Sequence, residues 1–295
     1  MNSIKPIHAG IVFALVTAIS LGAITTQAKI FYAVGGNAMA LMLTRFLIST
    51  LVFGLLIAFR RRPFKIDRHQ RLSVLMLGFI WSGSMICYLL SVESISVSLA
   101  VLILYTYPLL VLAFSVIHRQ IPSSPLLISI FCLTFLGLYL VLSSGSADLD
   151  PDGLLYAALA ALGAAYTFIK GARIAPHLNP LVMTFWINAV GLAMIVPLVY
   201  TQFSLSTATI GLIALAAATL FYLVAILCQF EALARLPATT AAFILNLEPV
   251  VSILLAAMIL QEHLSGMQWL GVALVVSGLF VVIRYTAGSS TLTRQ

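Results

Sequence analysis

Ten apolar runs follow one another along this chain, and they constrain its fold more than any other feature. They cover about 8–28, 38–59, 72–91, 95–116, 125–144, 153–172, 180–200, 208–230, 238–260 and 266–285. Each has about 20 residues, the length that one helix needs to cross the hydrocarbon core of a bilayer. The segments between them are short. The sequence therefore predicts an all-α membrane protein with ten transmembrane helices and no extramembrane domain.

The composition excludes a soluble domain and gives no sign of a cofactor. Charged residues make up 8% of the chain, whereas a soluble domain carries about 25%. The three cysteines lie inside apolar runs without a C-x-x-C pair, so neither a disulfide framework nor a zinc site is predicted. The acidic stretch from Asp148 begins like a calcium loop, but its twelfth position is Leu159, where an EF-hand needs Glu. We expect no metal and no cofactor.

The basic residues predict the orientation of the chain. The net charge of +7 comes from residues in loops beside the apolar runs, which is typical of the cytoplasmic face of a membrane protein and not of a nucleic-acid partner. If the loop after the second run is cytoplasmic, both termini are cytoplasmic. Thirteen of the fifteen Lys and Arg residues then lie on that side, and only Lys29 and Arg45 lie towards the outside.

An internal repeat relates the two halves of the chain. Residues that lie 141 positions apart match at several landmarks: Leu21-Gly22 with Leu162-Gly163, Lys29 with Lys170, Cys87 with Cys228, Pro108 with Pro249, Gln120 with Gln261, and Gly137-Leu138 with Gly278-Leu279. Because each unit holds an odd number of spans, the second copy enters the membrane from the opposite side. Two inverted five-helix repeats (5+5) are a common plan among secondary transporters, whose substrate site lies near the midplane between the repeats.

The repeat also sets the predicted domain boundaries. Residues 1–144 form the first repeat, 145–152 an outside loop, 153–285 the second repeat and 286–295 a cytoplasmic tail. We expect one half to rock against the other, so that the site between them opens to each side in turn.

The ninth run contains the residue with the clearest chemical potential. Glu248 lies at its centre, immediately before Pro249. A charged side chain at the bilayer centre costs about 2.5–3.5 kcal/mol on insertion scales, so an intramembrane carboxylate indicates a functional site. Glu248 could take up protons or bind a substrate amine, or it could be a structural carboxylate bonded to a neighbouring helix. Its repeat equivalent is Tyr107, so one carboxylate would carry any coupling alone.

The order of these motifs resembles the EamA-type transporters of the drug/metabolite transporter (DMT) superfamily. The motifs are Leu21-Gly22 and Lys29 in span 1, Arg45-Phe46 in span 2, Pro108 in span 4, and Leu247-Glu248-Pro249, Gln261-Glu262-His263, Gly271 and Gly278 at the end. The resemblance covers nearly the whole chain. It implies a multi-pass protein of the bacterial inner (plasma) membrane that exports amino acids, related metabolites or drugs, often driven by an ion or proton gradient. No residue indicates a direction of transport or an oligomeric state.

The resemblance also implies which residues line the cavity. Spans 3, 4, 6, 8 and 9 line it in proteins of similar architecture, and their polar and aromatic residues are Tyr88, Tyr107, Tyr166, Tyr222, Gln229 and Asn246. Each of these could contact a substrate or serve helix packing. Trp81 and Trp186 could be cavity walls.

Five further residues have both a functional and a structural interpretation. Arg45 could bind a substrate carboxylate or extend to the outer headgroups. Lys29 and Lys170 could be gate contacts or interfacial anchors. Pro108 and Pro249 could be hinges or simply curve their helices.

Other classes of membrane protein fit less well. An enzyme is not predicted, because the spans contain no Asp, no H-E-x-x-H and no deep histidine. A channel would show a repeated filter segment or charge rings. A transporter for a lipid or a sugar-nucleotide substrate stays open, although only Arg45 and Lys29 could bind a phosphate. The absence of a G-x-x-x-x-G-K-[ST] loop argues against direct use of ATP.

Overall fold

Twelve α-helices make up nearly all of the protein that the structure, a computed structural model, describes. It describes residues 7–61, 63–120, 125–142, 150–259, 261 and 264–292, with side chains up to residue 282 apart from residues 93, 201 and 202. The helices are α1 (Ile7–Ala33), α2 (Ala38–Phe59), α3 (Arg68–Ser94), α4 (Val97–Leu104), α5 (Tyr107–Ile117), α6 (Pro125–Leu142), α7 (Pro151–Ile174), α8 (Pro180–Gln202), α9 (Thr209–Leu233), α10 (Ala238–Ile244), α11 (Leu247–Ile259) and α12 (Gly266–Leu292). A short 3₁₀ helix, Ala175–His177, follows α7.

These helices form ten membrane crossings, which confirms the predicted fold class. Nine segments of the described chain have the length and hydropathy to cross a bilayer, and the apolar part of α12, Gly266–Val282, is a shorter tenth. α4 and α5 share the fourth crossing, and α10 and α11 share the ninth. Leu55, Phe59 and Leu162 are each more than half exposed, as expected for side chains that face lipid.

The helix starts repeat with the spacing read from the sequence. α3 begins at Arg68 and α9 at Thr209, α4 at Val97 and α10 at Ala238, and α6 at Pro125 and α12 at Gly266. Each pair is 141 positions apart. The five-plus-five layout is therefore present in the helices as well as in the residue landmarks.

Two helix ends differ from the predicted boundaries. α7 begins at Pro151, because the Asp150 side chain caps it by accepting a hydrogen bond from the Gly153 backbone N–H at 2.9 Å. The end of the predicted loop 145–152 is therefore part of this helix and its cap, while 143–149 lie outside the described residues. α12 continues to Leu292, so the described part of the predicted tail is helical.

The fourth and ninth crossings are each broken at the middle. Tyr105 and Thr106 form a turn between α4 and α5, and Leu245 and Asn246 form the equivalent turn between α10 and α11. Pro108 and Pro249 lie in the first turn of the helix after each break, where a backbone N–H has no intrahelical acceptor. Each proline therefore lies at the start of a new helix. The sequence had instead suggested a hinge or a curve within one continuous helix.

The two repeats are intertwined. α1 packs along α9, and its repeat equivalent α7 packs along α3. Close approach is possible because small residues lie in both interfaces: the Ser84 hydroxyl on α3 donates to the Ala160 carbonyl on α7 at 2.7 Å, and the Thr17 hydroxyl on α1 lies 3.4 Å from the Ala225 carbonyl on α9. Most helices pack mainly against the opposite half of the sequence, so the predicted rocking of one half against the other would have to separate the largest helix contacts.

The contacts and the repeat together assign eight helices to two mixed groups. α7, α3, α4 and α5 form the α7 bundle, and their repeat equivalents α1, α9, α10 and α11 are called the α1 bundle here, although α10 also packs against α5 and α7. The repeat relates these two bundles to each other. The pairs α2–α8 and α6–α12 each join a helix to its own repeat equivalent. They flank the two bundles.

Hydrogen bonds join two connections at one end of the molecule. The Ser204 hydroxyl donates to the Gly35 carbonyl at 2.7 Å, and the Ser206 hydroxyl donates to the Val34 carbonyl at 2.7 Å. Gly35 has φ +90°, a left-handed conformation that glycine adopts without strain. These bonds tie the α1–α2 turn to the segment before α9.

Glycines set the close crossing of α6 and α12. A Cβ on Gly271 would lie 2.5 Å from the Gly137 carbonyl oxygen and 2.8 Å from the Val141 backbone nitrogen. Both neighbours are backbone atoms, so no side-chain rotation could relieve the clash. The two helices can approach this closely only while residue 271 has no side chain.

We expect Gly271→Ala to separate α6 from α12 and to destabilise the full-length protein in detergent by about 1–3 kcal/mol, the usual cost of overpacking. Thermal unfolding of the purified protein measures the effect. Gly83→Ala is the matched control, because its Cβ would meet only Met194 Cε at 4.0 Å. Equal melting temperatures for the two variants would contradict the close crossing.

Candidate functional site

Glu248 lies at the first turn of α11, directly after the break in the ninth crossing. Gly22 on α1 packs against this turn, and a Cβ there would lie 2.8 Å from the Glu248 carbonyl oxygen. Glu248 as a whole residue is of intermediate exposure, and it lies near the middle of its crossing. Its carboxyl group is enclosed by protein.

Three tyrosines of the α7 bundle surround this carboxyl group. Tyr105 lies within side-chain hydrogen-bonding range of it. Tyr88 and Tyr107 lie close enough to interact with its charge. Tyr105 and Tyr107 belong to the break in the fourth crossing, so the two broken crossings meet at this point. We call Glu248 and these tyrosines the carboxyl cluster.

A second polar cluster surrounds Arg45, where α2, α3, α8 and α9 meet. The guanidinium carbon of Arg45 lies 4.9 Å from the centre of the Tyr222 ring and 5.5 Å from that of Phe46. The Tyr222 hydroxyl donates a hydrogen bond to Asn188 Oδ1 at 3.1 Å. Trp81 lies beside the Tyr222 hydroxyl. We call Arg45 and these neighbours the arginine cluster. Aromatic rings contact the guanidinium group of Arg45, and no described carboxylate pairs with it.

Both clusters lie on the pseudo-two-fold axis that relates the repeats. Tyr107 and Glu248 are repeat equivalents, as are Trp81 and Tyr222, because each pair is 141 positions apart. Equivalent residues can touch only where the axis passes between them. Tyr32 links the clusters, since it interacts with both Arg45 and Tyr88.

The space between the bundles is closed at one end. Near the C-terminal ends of α7 and α9, a Cβ on Gly171 would lie 2.9 Å from Leu233 Cδ1, and α5 packs against α10. The repeat-equivalent pairs, α1 with α3 and α11 with α4, do not pack in this way within the described residues. Tyr32 in the last turn of α1 is 40% exposed. Contacts between the bundles are therefore sparser at the end where α1 and α3 finish, which is called the open end here.

The other predicted site residues lie around these clusters. Asn246 is the buried equivalent of Tyr105, and Gln229 is the buried equivalent of Tyr88. Tyr166 is partly buried on α7 and packs against the main apolar core. Lys29 is exposed near the open end on α1, and Lys170 is partly buried near the closed end on α7. The structure therefore brings Glu248, Tyr88 and Tyr107 together and places Arg45 with Tyr222.

Several residues of these clusters were not predicted. Tyr105 could have been found, since it is the repeat equivalent of Asn246, whereas Asn188 carries no sequence signal of its own. Trp81 lies in the arginine cluster, as a cavity wall would. Trp186 points elsewhere, because its indole N–H donates to the Phe64 carbonyl at 2.9 Å, in the connection after α2.

The described residues include no group of three or more His, Cys, Asp or Glu side chains that could bind a metal ion. A groove of about 330 Å³ between α2 and α9 is separate from the carboxyl cluster, and it has a mainly apolar lining from residues such as Ile48, Leu215 and Leu220. The chemistry of the site therefore comes from one carboxyl group, one guanidinium group and several tyrosines.

Ten crossings, inverted repeats and a polar site on the axis between them define the architecture of a secondary transporter. A sequence model described as the EamA-like transporter family matches residues 8–143 and 152–284. The chain belongs to this family, as the sequence motifs had indicated, and it is a membrane transporter.

Two Bacillus subtilis (strain 168) proteins are similar along most of their length. The uncharacterized transporter YxxF is 24% identical over 262 residues, which cover 86% of this chain and 84% of YxxF. The uncharacterized transporter YetK is 21% identical over 254 residues, which cover 81% and 76% respectively. A solved crystal structure of 18% identity superimposes with a TM-score of 0.79 over 92% of this chain and 96% of that one, which shows the shared fold. The names of both relatives agree with the expectation that the protein is not an enzyme.

We expect Tyr222→Phe to lower the stability of the protein by about 1–3 kcal/mol, because Asn188 Oδ1 would lose its donor in a buried site. Thermal unfolding of the full-length protein in detergent measures the loss. Tyr139→Phe is the matched control, since Tyr139 is 49% exposed on α6. A Tyr222→Phe variant as stable as this control would contradict the Tyr222–Asn188 bond.

Proposed function

We propose that this protein is a secondary active transporter that exports small metabolites, such as amino acids or related compounds, in exchange for protons. The main support is the position of the two polar clusters on the axis between inverted repeats. A site on that axis is equivalent with respect to both membrane faces, as alternating access requires. Export is the direction implied by the resemblance to EamA-type exporters.

The moving bodies in this proposal are the α1 bundle and the α7 bundle. Glu248 belongs to the α1 bundle, whereas Tyr88, Tyr105 and Tyr107 belong to the α7 bundle, so the carboxyl cluster lies at the interface between them. Rotation of one bundle against the other would break the contact of Gly171 with Leu233 at the closed end. It would form the repeat-equivalent contact between α1 and α3 at the open end.

Glu248 is the coupling residue in this mechanism. It is a carboxylate at mid-membrane depth, and side chains of this kind mark proton pathways in transporters. The Tyr105 hydroxyl in the opposite bundle is in position to bond to it. Proton uptake by Glu248 would therefore change a contact between the two moving bodies. Asn246, Gln229 and Tyr166 are proposed to line the rest of the cavity, with Lys29 and Lys170 as gate residues at opposite ends.

The proposed location is the inner (plasma) membrane, with both termini in the cytoplasm. The distribution of Lys and Arg supports this orientation. In it, the closed end of the site faces the cytoplasm and the open end faces outwards.

We expect Glu248→Gln to abolish transport driven by a pH gradient, because an amide cannot take up and release a proton. Uptake into proteoliposomes with an imposed pH gradient, over a set of amino acids and aromatic metabolites, measures this. Substrate exchange without a gradient should persist in the variant.

The control is Glu231→Gln, since the Glu231 carboxylate at the end of α9 pairs with Arg235 in the connection that follows. It should keep the response to the gradient. A Glu248→Gln protein with the rate and pH response of the natural protein would refute the coupling role.

Pro249→Ala tests the break in the ninth crossing as a hinge. Alanine restores a backbone N–H, so α10 can continue into α11 and the crossing becomes straighter. We expect the initial transport rate per molecule to fall more than the expression level. Pro197→Ala is the control, because Pro197 is an exposed proline inside α8. Equal initial rates for both variants would count against a hinge.

A further inference from the structure

The arginine cluster contains hydrogen-bond donors that have no partner in the protein. Ser49 and Ser82 are both 0% exposed, and neither hydroxyl has a hydrogen-bond partner within the described part of the chain. Arg45 Nε is likewise buried without a partner, and the indole N–H of Trp81, a residue 7% exposed, has only the Tyr222 hydroxyl beside it. A buried polar group without a partner costs about 1–3 kcal/mol. Three such groups close to Trp81 indicate that something outside the chain satisfies them.

Helix spacing and packing contacts bring these donors close to one another. Ser49 lies one helical turn after Arg45, on the same face of α2. A Cβ on Gly191 would lie 2.7 Å from Ser82 Oγ and 2.8 Å from the Phe46 ring, so α8 packs closely here and Ser82 lies next to that ring. Arg45 lies over that same Phe46 ring.

The donors and the guanidinium group indicate the charge of the ligand that would bind here. The Asn188 side-chain oxygen already accepts from Tyr222, and no described carboxylate pairs with Arg45. The cluster therefore offers donors and one positive charge. A monoanion with two acceptor oxygens matches a single guanidinium fork, whereas a phosphate dianion would need a second cation.

We propose that Arg45, Ser49, Ser82 and Trp81 form a subsite that binds the carboxylate group of the transported molecule. This inference deepens the proposed function, because it names the chemical group that the site recognises. The aromatic rings of Phe46, Trp81 and Tyr222 would hold the apolar part next to the carboxylate. Glu248, at the other cluster on the axis, then stays available for a proton or for a cationic group.

Calorimetric titration of the full-length protein in detergent tests the subsite. The probes are benzoate, 3-phenylpropanoate and hexanoate, each paired with its primary amide, which keeps the shape and removes the charge. At least one carboxylate should bind ten times or more tightly than its amide. If no carboxylate of the set binds more tightly than its amide, the proposal is overturned.

Two small substitutions separate ligand binding from structure. Ser49→Ala and Ser82→Ala each remove an unpaired hydroxyl, so the unliganded melting temperature should stay unchanged or rise. Carboxylate affinity should fall about tenfold in each, the effect of one hydrogen bond to a charged group, while amide binding does not change. Lower melting temperatures with unchanged carboxylate affinity would show that the hydroxyls are structural and would overturn the subsite.

Variants at two arginines of the same helix complete the experiment. Arg45→Gln should remove the preference for carboxylate over amide, and Arg60→Gln, at the exposed end of α2, should retain it. Glu248→Gln should also retain it.

If that variant keeps the preference while the natural protein shows no gradient-driven transport, the proposed function fails and the subsite stands. If transport is coupled to the gradient but Arg45→Gln binds carboxylates normally, the subsite fails and the transporter stands.

Discussion

The structure depends on one constraint, which is that lipid offers no hydrogen-bond partner to a peptide group. A chain that crosses a bilayer must satisfy its own backbone, so nearly every crossing here is a continuous helix. Two crossings are interrupted, and both interruptions lie inside the bundle, against other protein. They meet at Glu248 and its surrounding tyrosines. The two interrupted crossings therefore lie away from lipid, at the site that contains the polar side chains.

Inverted repeats give this arrangement its second property. A sequence unit that is repeated along the chain and crosses the membrane in the opposite sense the second time generates an axis in the membrane plane, and residues on that axis face their own equivalents. Here the equivalents have diverged: Glu248 faces Tyr107, and Tyr222 lies beside Trp81. The scaffold remains symmetric while the chemistry on the axis is not. A single carboxyl group and a single guanidinium group lie on a framework that treats both membrane faces alike.

Much of this could be read from the residues. The apolar runs predicted the crossings to within a few residues, and the spacing of 141 positions predicted the inverted layout. Glu248 was identifiable because a carboxylate in an apolar run is unusual. The partners of Arg45 were not, since Ser49, Ser82 and Asn188 are ordinary residues whose importance depends on which helices meet. The interleaving of α1 with α9 was hidden for the same reason, because apolar helices do not encode their neighbours in composition alone.

That interleaving has a consequence for how the protein is made. α1 is synthesised well before the helix it packs along, because α9 begins only at Thr209. Until α9 is inserted, the small residues of α1 can contact only lipid or temporary neighbours. The helices of the first repeat thus wait in the membrane as an unfinished assembly, and the helices of the second repeat complete their packing.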